Sequence, residues 1–261
     1  MSVPIALSVA GSDPSGGAGI QADLKTFAAF EVYGAAVLTC CTAQNTTGVF
    51  ATGELPVDLV AAQLDAVLED LAVGAIKTGM LGRAAIVDVV AERLACRAIP
   101  LVVDPVMVAT SGDLLLTADG VAALRGRLLP LARLVTPNLA EAAVLAGRDV
   151  RTLADMRAAA RCIRDLGPGA VLVKGGHLAG AACDVLLDGA DLHELATARV
   201  DAGPLHGSGC TLAAAICAAL ARGDALPDAV AAAKRFVHEA IRGALAVGRG
   251  ARPLDHRVRV R

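Results

Sequence analysis

Apolar positions in this chain come in two alternating textures. Six short runs are almost continuously apolar and rich in β-branched residues: IALSVA (5–10), AAVLTCC (35–41), GAIKT (74–78), LVVD (101–104), RLVT (133–136) and AVLVK (170–174). They have strand length and composition. Between them, residues 18–30, 56–71, 83–95 and 155–166 repeat their apolar positions at helical spacing. A strand without polar alternation is covered on both faces, so this pattern predicts a mainly parallel sheet between two layers of helices, an α/β/α sandwich. Residues 183–200 read differently, as two strands joined at DGAD (188–191), a hairpin leading into a further helix. No linker, low-complexity stretch or repeat divides the chain. One domain over 1–261 is expected, with its core at about 4–250 and no assignment for the tail.

The polar positions carry the next layer of information. Six strands run into clusters of glycine and polar residues: GSDPSGGAG (11–19), TAQN (42–45), GML (79–81), DPVM (104–107), TPNLAE (136–141) and KGGH (174–177). In a parallel sheet these ends share one edge, where ligands bind, so the six predict one composite site. GSDPSGGAG feeds a helix and offers either free N–H groups to a ligand or only a tight turn. It is no Walker A loop, because the chain contains no Gly-Lys pair. Asp23 in the following helix is either a solvated acid or an acceptor facing the site. Gln44 and Asn45, read as following a strand, combine amide donors and acceptors suited to a heterocycle edge. Asp104 and Glu141 suit Mg²⁺ held through water, although Asn138 and Glu141 also spell a capping box. Lys174, one of four lysines, ends a strand as a phosphate contact or a snorkelling cation.

Composition narrows the class. The 261 residues are 55% hydrophobic with net charge −2 and few aromatics, which supplies no footprint for nucleic acid or anionic membrane. No apolar run approaches the roughly 18–20 residues of a membrane span. Seven cysteines without a CxxC pair read as reduced cytoplasmic thiols, and five histidines without HxxxH spacing indicate no transition-metal site. His206 reads as a loop residue.

The stretch HGSGCTLAAAI (206–216) joins these threads. Gly207, Ser208 and Gly209 give consecutive N–H groups at a helix start, an arrangement that stabilises a phosphate or oxyanion. The same field acts to lower the pKa of the Cys210 thiol, so that its thiolate takes a proton from a hydroxyl attacking a γ-phosphate. The plain alternative is a packed helix-start cysteine.

GSDPSGGAGIQADLKTF, TAQNTTGV, KTGML, VVDPVMVATSGD, LVTPNLAEAAVL, VLVKGGH and HGSGCTLAAAI, in this order, resemble the hydroxymethylpyrimidine/phosphomethylpyrimidine kinases of thiamine biosynthesis, within the ribokinase-like superfamily. The resemblance spans about residues 4–250. It implies an ATP- and Mg²⁺-dependent kinase that phosphorylates 4-amino-5-hydroxymethyl-2-methylpyrimidine and then its monophosphate. Carried over by position, it implies that Gln44 binds the pyrimidine, with Asp23, Ala18, Gly11, Met80 and Val106 around it. Gly207, Ser208 and Gly209 form the anion hole, Cys210 is the base, and Lys174 meets phosphate. Asp104 and Glu141 organise Mg²⁺. The resemblance also implies a cytoplasmic homodimer. Pyridoxal/pyridoxine kinase, or a non-catalytic pyrimidine sensor on the same fold, are the alternative functions. Ser12 and Ser208 stand where relatives often have threonine. The tail ARPLDHRVRVR matches nothing in the resemblance.

Overall fold

In the computed structural model, residues 3–108, 115–176, 178 and 182–258 are described. His177 and the TSGD segment (110–113) of the sequence motifs lie outside these residues. The strands are β1 (Ile5–Ser12), β2 (Tyr33–Asn45), β3 (Gly48–Glu54), β4 (Ala75–Thr78), β5 (Leu101–Val103), β6 (Leu134–Val135), β7 (Ala170–Val173), β8 (Ala182–Asp188) and β9 (Asp191–Thr197). They form one sheet in the order β3-β2-β1-β4-β5-β6-β7-β8-β9. β2, β1, β4, β5, β6 and β7 are parallel, whereas β3 at one edge and the β8–β9 pair at the other are antiparallel.

Side chains along the central strands split by parity between two cores. Leu7, Ile76, Val103, Val135, Val171 and Val185 face one layer. Ala6, Ala75, Val102, Leu134, Leu172 and Leu186 face the other. Alternation of the pleat explains this division, and apolar residues of both parities explain the unbroken hydrophobic runs. The first layer contains α2 (Val57–Asp70), α3 (Ala84–Leu94), α5 (Leu139–Ala146) and α6 (Leu153–Arg164), with the short α4 (Ala118–Ala123) continuing into a π-turn at Leu124–Leu128. The second contains α1 (Gly19–Ala29), α7 (Ser208–Ala221) and α8 (Leu226–Arg242).

α7 is buried without interruption from Thr211 to Ala219, which is why its sequence has no polar face. Its alanines let α1 and α8 approach closely, and Phe30 after α1 meets Phe236 of α8 edge-on with ring centroids 5.2 Å apart.

Two features depart from the sequence expectation. β2 does not stop at Cys41 but runs on through Asn45 and turns into β3, whose outer half is exposed and so carries no alternating pattern. The tail is also integrated. β10 (Leu205–His206) pairs in parallel with β11 (Arg252–Pro253). Ala251 N donates to Thr46 O at 2.8 Å, and Asp255 N donates to Ala240 O at 3.1 Å.

Candidate active site

All six strand-end clusters contribute to one cavity of about 610 Å³. Gly11, Ser12, Thr42, Gln44, Met80 and Val106 line one end. Asp104, Glu141, Lys174 and residues 207–210 lie along the middle, and Asp184, Lys234, Val237 and Ile241 line the far end. The cavity therefore follows the C-terminal edge of the parallel strands, as open α/β sheets dictate.

α7 opens on this cavity. Its N-cap is Gly207 with φ +85°, and no side chain caps the helix. The first hydrogen bond back along the chain is Thr211 N to Gly207 O at 2.9 Å, so the N–H groups of residues 208–210 precede the helical ladder. Gly207 is required twice over: its φ lies in the left-handed region, and a Cβ there would overlap the carbonyl oxygen of Gly17.

Above this helix start lies a compact set of charges. Lys174 Nζ sits 2.9 Å from Asp104 Oδ1, with Asp104 almost fully buried. Thr136 Oγ1 donates to the same oxygen at 3.3 Å. A Cβ on Gly209 would stand 3.2 Å from Lys174 Nζ and 3.8 Å from Asp104 Oδ2, which places both at the α7 terminus. Glu141 fills the capping-box position and also lines the cavity: Asn138 N donates to its Oε2 at 2.8 Å, and its own N–H donates to Asn138 Oδ1 at 2.9 Å. Burial, followed by the Asp104 charge, raises the Glu141 carboxyl to about 7 against the opposing pull of Lys174. Asp104 and Glu141 are neighbouring carboxylates on the cavity wall, a donor set that would fit Mg²⁺ held through water and phosphate oxygens.

Cys210 is the third residue of α7. Contrary to the expectation from helix position alone, its thiol is pushed up to about 11. Burial is the main cause, Asp104 and Asp23 add to it, and Lys77 and the Gly19 N–H act the other way. Desolvation at this site outweighs the helix field.

Asp23 corrects a second expectation. It is neither solvated nor part of the cavity wall; it is fully buried beneath it. Ser8 Oγ donates to its Oδ2 at 2.5 Å, and Lys77 Nζ approaches its two oxygens at 2.9 and 3.1 Å. Burial raises the Asp23 carboxyl, with Lys77 opposing. Lys77 itself lines the cavity. The sequence reading passed over Lys77, yet a lysine inside a strand covered on both faces needs a buried partner.

Asp13 and His206 were also passed over as site residues. Asp13 accepts the N–H groups of Ser15 (2.9 Å) and Ala18 (2.8 Å), so much of the glycine-rich turn is committed to this carboxylate rather than free for a ligand. His206 is not in a loop but on β10, its Nε2 2.8 Å from Asp13 Oδ2. Burial would raise the Asp13 carboxyl, but the His206, Ser15 and Ala18 hydrogen bonds bring it to about 2. Gln44 and Asn45 lie within β2 and not after it. Gly11, Ala18, Met80 and Val106 all face the cavity near Gln44. Met80 is held there by its carbonyl, which accepts from Thr39 Oγ1 at 2.7 Å.

Known proteins share this sequence pattern and fold. The family model of phosphomethylpyrimidine kinase matches residues 13–255. A hydroxymethylpyrimidine/phosphomethylpyrimidine kinase of Synechococcus elongatus is 52% identical over 98% of both chains. The solved phosphomethylpyrimidine kinase of Clostridium difficile is 41% identical, with a TM-score of 0.82 over 92% of this chain and all of that one. The pyridoxal kinase of Staphylococcus aureus in complex with AMP-PCP is 38% identical, with a TM-score of 0.92 over 98% of this chain and 95% of that one. With ribokinase-like layers and a family match spanning nearly its whole length, the chain belongs to the phosphomethylpyrimidine kinases, a family of phosphotransferase enzymes.

Proposed function

We propose that this enzyme transfers the γ-phosphoryl group of ATP to the hydroxymethyl oxygen of 4-amino-5-hydroxymethyl-2-methylpyrimidine, and then phosphorylates the monophosphate to the diphosphate, in thiamine biosynthesis. The observation that carries this reading is the cavity along the strand ends, lined by an amide and apolar side chains and by the open start of α7. In this reading Gln44 binds the ring within a wall of Gly11, Ala18, Met80 and Val106. The triphosphate lies toward Asp184 and Lys234. Asp23 acts only through Lys77.

The reaction follows from these placements. The substrate oxygen bonds to the γ-phosphorus as the bond to the β–γ bridging oxygen breaks, and that electron pair leaves with ADP. The hydroxyl proton goes to the sulfur of Cys210. N–H groups of Gly207, Ser208 and Gly209, together with Lys174, face the charge on the transferring group. A thiol that ionises near pH 11 holds its own proton at neutral pH, so positive charge must be added before it serves as a base. Asp104 and Glu141 would hold Mg²⁺, which when bound would supply positive charge near the thiol. Lys77 already acts in this direction, within the value of about 11.

The same reading places the enzyme in the cytoplasm as a homodimer acting on small molecules. Among the described residues no helix is long and apolar enough to cross a membrane. A monomeric mass by light scattering at micromolar concentration would overturn the dimer. The activity is tested by ADP release with ATP and Mg²⁺ plus the pyrimidine alcohol, its monophosphate or pyridoxal. Turnover on both pyrimidines, with pyridoxal much slower, is expected. Turnover on pyridoxal alone would replace the pyrimidine by that ring.

A further inference from the structure

Three side chains around Gln44 contain a proton count that has only one solution. His206 Nε2 lies 2.8 Å from Asp13 Oδ2, and one end of the Gln44 amide lies 3.2 Å from the same His206 nitrogen. The other end of the Gln44 amide is 3.1 Å from Thr42 Oγ1, which in turn is 3.0 Å from Ser12 O. Asp13 is an ionised carboxylate that also accepts from Ser15 N and Ala18 N, so it has nothing to donate. The 2.8 Å contact therefore requires the His206 proton on Nε2; a lone pair there would face the carboxylate's own.

With that proton in place, an amide NH₂ turned to His206 would set donor against donor. The amide oxygen must face His206 instead, since the two ends of a glutamine amide are assigned from their partners. Thr42 accommodates this orientation. With its single hydrogen on the Ser12 carbonyl at 3.0 Å, its oxygen accepts from the Gln44 NH₂. The His206 N–H is thus shared between Asp13 and the Gln44 carbonyl. One N–H of the amide is spent on Thr42 and the other is left uncommitted on a residue that lines the cavity.

His206 is itself anchored from two sides. β11 pairs with it through Pro253, and the loop before α1 presses on its ring: a Cβ on Gly17 would overlap His206 Cδ2. We propose that His206, oriented by Asp13, is a positioning residue that fixes the Gln44 amide with its oxygen toward β10 and its nitrogen toward Thr42. The fixed amide then selects a ring edge carrying an acceptor nitrogen beside an amino donor. An edge with acceptors alone matches an amide that is free to turn at least as well. This inference rests on Gln44 being the ring-binding residue.

The test compares kcat and KM for the aminopyrimidine alcohol and for pyridoxal in the full chain and in His206→Phe and His206→Gln. His206→Phe should lower the ratio of the two kcat/KM values about tenfold, the size of one hydrogen bond, mainly through KM for the pyrimidine. His206→Gln, which keeps an N–H near the Nε2 position, should recover most of the ratio. An equal loss on both substrates, or no recovery with glutamine, would overturn the proposal. If His206→Phe does not fold by circular dichroism, Thr42→Val decides: a lowered ratio supports the fixed amide and an unchanged ratio overturns it. Absence of pyrimidine turnover in the unmutated enzyme would instead overturn the proposed substrate.

Discussion

Lys77 on β4 and Asp23 on α1 are both fully buried, and the lysine ammonium contacts the two carboxylate oxygens at 2.9 and 3.1 Å. Burial favours the neutral form of each, but the Asp23 charge keeps Lys77 protonated and raises its pKa overall. The pair is an interior charge couple that joins the helix layer to the cavity floor.

Breaking that couple on one side should be severe. Lys77→Met leaves an uncompensated carboxylate in the core and should cost about 3–5 kcal/mol in urea denaturation. The double variant Lys77→Met with Asp23→Leu should regain most of that loss. Simple additivity of the two single effects would show that the residues do not act as a pair.

Cys210→Ala should lower kcat by about 10²–10⁴ with little change in KM, the range of a lost general base. Cys210→Asp should retain a measurable fraction and shift the acidic limb of the pH–rate profile. Unchanged turnover in Cys210→Ala would remove the base role.

Glu141 links stability to pH. Its carboxyl rises from an ordinary 4.5 to about 7 on folding, so the folded state prefers the protonated form. The stability this confers is complete below about pH 4.5 and is lost as pH rises through 7, amounting to about 3 kcal/mol. Glu141→Gln keeps an acceptor for Asn138 N and should flatten that slope. Denaturation midpoints at several pH values between 4.5 and 8 measure the difference, and parallel slopes would contradict the assignment.

Gly207→Ala should separate activity from folding. A left-handed alanine costs about 1–2 kcal/mol, and its Cβ must also push α7 away from Gly17. The variant should fold with a lowered Tm and lose at least tenfold in kcat. Full activity would mean that the α7 start tolerates displacement.

Much of the architecture was legible because it rests on local texture. The six parallel strands are apolar on both faces, and the β8–β9 hairpin carries its own turn. β3 was not, since an exposed edge strand buries no regular face. The strand-end clusters showed where a cavity had to form. What remained hidden were partnerships: Asp13 with His206, 193 residues apart, and Asp23 with Lys77, 54 apart. The state of the Cys210 thiol was not legible for a related reason. A helix start is visible in sequence, whereas the burial that overrides it depends on the surrounding fold.

The short β10–β11 pairing also sets an order on synthesis. His206 gains its strand partner only once Arg252 and Pro253 can lie beside it. Every strand of the main sheet precedes residue 252 in the chain, so the β10 side of the pocket around Gln44 acquires its partner strand last.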